Sequence, residues 1–223
     1  MKHFEPECWY KAVCDDNKEG CQDKCVKYLK MRYLMQESNL PVNKCKPLPL
    51  YPERCDVEAF RKLAEIKDNI EDFVENGRSL YITSPYVGNG KTTWAIKLLL
   101  KFFENVWVDS GFECRGVFVH VPTFLMMCKD FKTVDEDFEQ LKRNILDVDI
   151  VIWDDIACTD ISAYDLGQLS MYIEARHFKG LSNIFTGNLN ERALLEDAVG
   201  TRLTSRIWNS STEIIELRGG DRR

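Results

Sequence analysis

The sequence predicts an α/β domain built on a five-stranded parallel sheet, and three observations predict it. Strand-like apolar runs alternate with helix-like runs from residue 56 onward. The segment Ser84-Pro-Tyr-Val-Gly-Asn-Gly-Lys-Thr-Thr93 lies between a short β-like run, Leu80–Thr83, and an apolar helical run, Trp94–Phe103. A further run, Asp149-Ile-Val-Ile-Trp-Asp-Asp155, is continuously apolar through Trp153 and ends in paired carboxylates, as a buried parallel strand does at a ligand-binding edge. Alternation of this kind gives a parallel sheet with right-handed crossovers and helices on both faces.

Taken in order, Asp56–Asn76 has helical spacing, with Phe60, Leu63, Ile66, Ile70 and Phe73 on one face and Gly77 as its stop. Strands are expected at Leu80–Thr83, Gly116–Val121, Asp149–Trp153, Asn183–Thr186 and Glu213–Leu217. Helices are expected at Thr92–Phe103, Thr123–Phe131, Asp135–Ile145, Ala163–Phe178 and Asn190–Ile207. The strand before the Gly-Lys-Thr loop should be central, because it must be flanked on both sides to present that loop.

The loop has the chemistry of a phosphate cradle, G-x-x-x-x-G-K-[ST], with Pro85 in place of the first glycine. Gly88 and Gly90 allow the tight turn that aims backbone N–H groups at phosphate oxygens, and the following helix points its positive end at the same anion. Lys91 would reach the β- and γ-phosphates, and Thr92 would offer its hydroxyl to Mg²⁺. The expected cofactor-binding set is Gly88, Asn89, Gly90, Lys91, Thr92 and Thr93, with Asp154 joining Thr92 at the Mg²⁺ because hard cations take oxygen ligands. Asp155 stands where a carboxylate can polarise an attacking water. Asn188, just past the fourth strand, can hydrogen-bond that water or the γ-phosphate, although Gly187-Asn188 also reads as a turn and Asn190 as the N-cap of the next helix. Arg202 and Arg206 lie one turn apart on the last helix, and either can serve a nucleotide bound by a neighbouring subunit, with Arg176 a weaker candidate.

Composition bounds the rest. Hydrophobic residues at 44% and charged residues at 30% match an ordinary globular protein, and no apolar run approaches the roughly 20 residues that span a bilayer. The N-terminal segment is polar, so a cytoplasmic protein without membrane contact is expected, its nine cysteines reduced or metal-bound. The net charge of −6 gives no global field for nucleic acid, so any DNA contact must rest on a local patch. Six of the cysteines precede the helix that begins near Val57, and a proline-rich stretch, Asn39–Pro52, follows the densest cluster. This divides the chain into residues 1–55, a Cys-rich arm with its linker, and residues 56–223, the α/β domain. Four thiolates from Cys8, Cys14, Cys21 and Cys25 would hold a structural Zn²⁺ in the arm, with His3, Cys45 and Cys55 as substitutes.

These motifs, in this order, resemble the AAA+ helicase loaders of the DnaC/DnaI type and the related IstB transposition helpers. The resemblance covers about residues 56–223 and rests on Gly88-Asn-Gly-Lys-Thr92, on Asp154-Asp155-Ile156, on Ile184-Phe-Thr-Gly-Asn188 as the sensor asparagine, on the arginine box Arg202-Leu-Thr-Ser-Arg206, and on the closing Gly219-Gly-Asp-Arg222. Gly187 departs from the family's usual serine. The resemblance implies an AAA+ P-loop NTPase core without a C-terminal helical lid, binding ATP and Mg²⁺, with Asp155, Asn188 and Arg206 as catalytic residues. It also implies a Zn²⁺-bearing arm that docks on a hexameric replicative helicase of the DnaB type, delivery of that helicase to single-stranded DNA, and self-association through the ATP sites. An IstB-like partner of a transposase, or an adaptor that binds nucleotide with little hydrolysis, are the alternatives.

Overall fold

In a computed structural model of the chain, residues 25–41, 49–129, 135–157 and 161–221 are described. Five parallel strands form one sheet in the order β2-β3-β4-β1-β5: β1 Ser79–Thr83, β2 Gly116–His120, β3 Ile150–Asp154, β4 Ser182–Gly187 and β5 Thr212–Glu216. The expected strands are thus all present, each within a residue of its expected start and end. The loop-bearing β1 lies between β4 and β5.

Two hydrophobic layers sandwich the sheet because alternate strand residues face opposite ways. On one face Leu80, Ile82, Ile150, Ile152, Ile184 and Ile215 pack with α2 (Val57–Asp68), α3 (Ile70–Glu75) and α4 (Lys91–Val106). On the other, Tyr81, Val117, Val151, Trp153 and Phe185 pack with α5 (Val121–Cys128), α6 (Glu136–Asp147), α7 (Ala163–Phe178) and α8 (Arg192–Ile207).

Three departures from the sequence reading have physical causes. The single helix expected over Asp56–Asn76 breaks at Asn69, whose side chain returns to the Glu65 carbonyl, and Asp56 sits in a short 3₁₀ turn before it. The last helix starts at Arg192 and is interrupted at Gly200 (φ 79°, ψ 158°), a conformation closed to other residues. Asn190 is not its N-cap; its amide donates to Glu216 Oε1 at 2.9 Å, and Glu191 takes the cap position.

The third departure concerns the arm. Residues Val26–Glu37, inside the segment assigned to a separate unit, form a helix, α1, whose Met31, Leu34 and Met35 join Leu40 in the same core as α2 and α4. Just beyond α1, the Ser38 carbonyl accepts from Phe118 N–H at 2.8 Å and the Asn39 amide donates to the Phe118 carbonyl at 3.0 Å, so this segment covers the free edge of β2. The boundary at residue 55 therefore does not coincide with a boundary of the core.

Gly77 ends α3 as expected, at φ 59°. A Cβ there would lie 2.1 Å from the Gly180 carbonyl oxygen, so both the left-handed backbone and the close approach demand glycine.

Candidate functional site

The C-terminal ends of β1, β3 and β4 and the first turn of α4 converge on one site. The loop from Ser84 to Gly90 turns with Gly88 at φ 74° and Gly90 at φ 102°, the left-handed geometry that starts α4 at Lys91. Pro85, where the motif has glycine, sits in an exposed stretch, and the loop is organised from within by Ser84 and Asn89, both fully buried. Ser84 Oγ accepts from Tyr86 N–H at 3.1 Å and from the Asn89 amide, which also reaches the Leu217 carbonyl at 3.3 Å. Lys91 Nζ bends back to the Tyr86 carbonyl at 2.8 Å, and burial pulls its pKa down, opposed by the charges of Asp155 and Asp154. A lysine so placed is a desolvated cation beside a loop of backbone N–H groups. Thr93 follows on the first turn of α4, half-buried.

Asp154 ends β3 at 4% exposure. Its Oδ1 accepts from Thr92 Oγ1 and from Thr186 Oγ1, each at 2.7 Å. Burial raises its pKa, with the two hydroxyls working the other way. Thr92 and Asp154, expected together at Mg²⁺, are thus joined directly, and their hard oxygen donors fit that ion. Thr186 carries no motif of its own in the sequence. Its hydroxyl also accepts from the Asp155 N–H at 3.0 Å, holding Asp155 at φ 59°, and a Thr one strand over and level with the carboxylates was the only signal for it.

Asn188 is half-buried immediately beyond β4. Its neighbours favour glycine at 187: a Cβ on Gly187 would lie 2.5 Å from the Tyr81 hydroxyl. That hydroxyl donates to the Leu189 carbonyl at 2.9 Å, and Thr83 Oγ1 donates to the same carbonyl at 2.8 Å. Tyr81 thus fills the space a serine side chain would need and anchors the asparagine's loop to β1.

The three arginines separate. Arg176 is fully buried and donates to the carbonyls of Ile145, Val148, Asp149 and Ser182 and to Asn183 Oδ1, at 2.6 to 3.3 Å. It ties the N-terminal ends of β3 and β4 to α6 and α7 and has no reach to a neighbouring molecule, which removes it as an arginine acting in trans. Arg202 is exposed and held by both oxygens of Glu174, at 2.5 and 2.6 Å. Arg206 is half-buried, and among the described residues its Nε has no hydrogen-bond partner.

Of the expected zinc ligands, Cys8, Cys14 and Cys21 lie outside the described residues, as do His3 and Cys45. Cys25 caps α1, its Sγ accepting from Tyr28 N–H at 3.5 Å, and Cys55 is exposed. Gly219 and the residue before it are held by Asp56, whose carboxylate accepts from the N–H groups of Arg218 (2.7 Å) and Gly219 (3.1 Å); Arg222 lies outside the described residues. No helix among the described residues is long and apolar enough to cross a membrane.

No protein-family model and no curated protein sequence matches the chain. Solved structures do. The DnaC helicase loader superposes with a TM-score of 0.61 at 19% identity, covering 75% of this chain and 93% of that one. DnaI gives 0.62 at 20%, covering 85% and 100%. DnaA from Aquifex aeolicus, bound to the ATP analogue AMPPCP, gives 0.56 at 17%, covering 78% of this chain and 50% of that one. The chain therefore shares the α/β fold of these structures, with its five-stranded parallel sheet.

Proposed function

We propose that this chain is an AAA+ ATPase of the DnaC/DnaI type that binds a hexameric replicative helicase and delivers it to single-stranded DNA. The observation that carries this reading is the junction of Thr92, Asp154 and Thr186 beside Lys91, on the fold of a helicase loader. In this reading Lys91 and the N–H groups of Gly88–Thr93 hold the phosphates of ATP, and Thr92 and Asp154 hold Mg²⁺, which neutralises charge on the phosphate oxygens. Asp155 takes a proton from, or orients, the attacking water, and Asn188 orients it from the neighbouring strand.

Arg206 is the residue assigned to a neighbour's nucleotide, since Arg202 is already engaged by Glu174. Turnover then requires self-association through the ATP sites and is slow in the isolated chain. The N-terminal cysteines, in the reading of a Zn²⁺ arm that docks on the helicase, favour a loader over an IstB-like transposase partner. The hydrogen-bonded Thr92–Asp154 pair favours hydrolysis over an adaptor that only binds nucleotide.

The test is capture of the cognate replicative helicase on the immobilised full chain, with and without ATP, repeated with Arg206→Ala. Helicase should be retained in an ATP-dependent manner, and Arg206→Ala should lower ATPase stimulation while leaving ATP affinity of the monomer unaltered. No helicase retained in either nucleotide state would end the loader reading.

A further inference from the structure

The acidic end of β3 gathers a third kind of donor. His120 is the last residue of β2, and the sheet register pairs it with Asp154. Its Nε2 stands 3.7 Å from Asp155 Oδ2, and its Nδ1 lies 2.7 Å from Thr123 Oγ1. One ligand atom each from His120, Asp154 and Asp155 lies within 4.8 Å of the other two. Asp154 is 4% exposed, and both of its hydroxyl donors land on Oδ1. Oδ2 receives no donor from the described residues and is not sealed among the buried unpaired atoms, so it is left open on the side of His120 and Asp155. Burial penalises the carboxylate's charge, and a cation drawn from solvent offsets that cost.

We propose that His120, Asp154 and Asp155 form a divalent-cation site that fills without nucleotide and selects Mn²⁺, or a later first-row ion, over Mg²⁺. This deepens the reading of the nucleotide site and rests on it, because Asp154 is shared. The selectivity follows from ligand chemistry: carboxylate oxygens alone suit Mg²⁺, whereas an imidazole nitrogen adds affinity along the first-row series. Thr123 plays the outer-shell part, fixing the ring through Nδ1 so that Nε2 faces the carboxylates. Opposite ligands on a six-coordinate ion of this size stand roughly 4.2 Å apart, at about 2.1 Å per bond. The half-exposed side chains of His120 and Asp155, 44% and 37% accessible, can close the remaining gap.

The experiment is a titration of the full chain with Mn²⁺ alone, followed by electron paramagnetic resonance and by competition with Mg²⁺, in the absence of nucleotide. Mn²⁺ is chosen because thiolates are poor ligands for it, so the cysteines do not contribute. Wild type should bind Mn²⁺ and prefer it to Mg²⁺ by roughly tenfold or more. His120→Ala should weaken Mn²⁺ binding by about 10–100-fold and bring the two metals near parity, and Thr123→Val should weaken it less, in the same direction. His120→Asp should keep a bound ion but lose the preference, and it carries the test with Thr123→Val if His120→Ala does not fold. No Mn²⁺ bound by wild type, or binding by the folded variants equal to wild type, overturns the proposal. ATP titration in Mg²⁺ reads the nucleotide site separately: a chain that binds ATP but not free Mn²⁺ loses this inference and keeps the proposed function.

Discussion

The two ends of the sheet treat buried charge in opposite ways. At the N-terminal ends of β3 and β4, the Arg176 guanidinium is sealed from solvent, and four carbonyls and one amide oxygen saturate its donors. At the C-terminal ends, Asp154 is almost as deeply buried, yet its Oδ2 receives no donor among the described residues, and Lys91 is desolvated against the Tyr86 carbonyl at 2.8 Å and the more distant Asn89 Oδ1. Burial works against the charge at both ends, lowering the pKa of Arg176 and raising that of Asp154. The saturated charge is architecture: it fixes where α6, α7 and the strand ends meet. In the proposed function the open charges are the site, with a phosphate and a cation as their partners.

The comparison breaks most visibly at Arg176. Arg176→Met removes five buried hydrogen bonds, although Asn183 Oδ1 keeps Trp153 Nε1 and the Asp149 carbonyl keeps the Ser182 N–H as donors, and unfolding free energy should drop by about 3–5 kcal/mol in urea titration. Arg176→Lys should recover only part of that loss, since an ammonium cannot serve a fork of five acceptors. A change below about 1 kcal/mol for Arg176→Met would mean that the buried network is replaceable.

Asp154 sharpens the contrast with a smaller effect of opposite sign. Its folded pKa lies above its unfolded value, so the protonated form favours the fold and ionisation costs stability. That cost is absent below the ordinary carboxylate range and is complete once pH exceeds the raised folded value. Asp154→Asn keeps an acceptor for Thr92 and Thr186 while removing the charge. In metal-free, nucleotide-free buffer it should melt above wild type at neutral pH, the gap closing as pH falls below the ordinary carboxylate range. A variant that melts lower at neutral pH would show that the charge has an internal partner.

Much of this was legible in the sequence because period and chemistry agree there. The five strands read as short apolar runs, and Gly88-Asn-Gly-Lys-Thr92 and Asp154-Asp155 carry their chemistry in residue types. What was not legible depends on contacts between distant segments. The apolar residues of α1 are spread around the helix rather than along one stripe, so its burial against α4 left no periodic signature. Arg176 and Arg206 look alike in a helix-terminal sequence, and only packing separates a saturated guanidinium from one with an open Nε. Thr186 and His120 come to Asp154 and Asp155 through strand order, which places β2 and β4 on either side of β3.

The central claim is that the open charges at the C-terminal end hold a nucleotide, and Lys91 tests it most directly. Titration calorimetry of ATP with Mg²⁺ against wild type and Lys91→Ala, both checked for an unchanged fold by circular dichroism, gives the answer. Wild type should bind, and Lys91→Ala should lose at least about tenfold in affinity, equivalent to about 1.4 kcal/mol. Equal affinity for the two proteins, or no binding by wild type, would contradict the account.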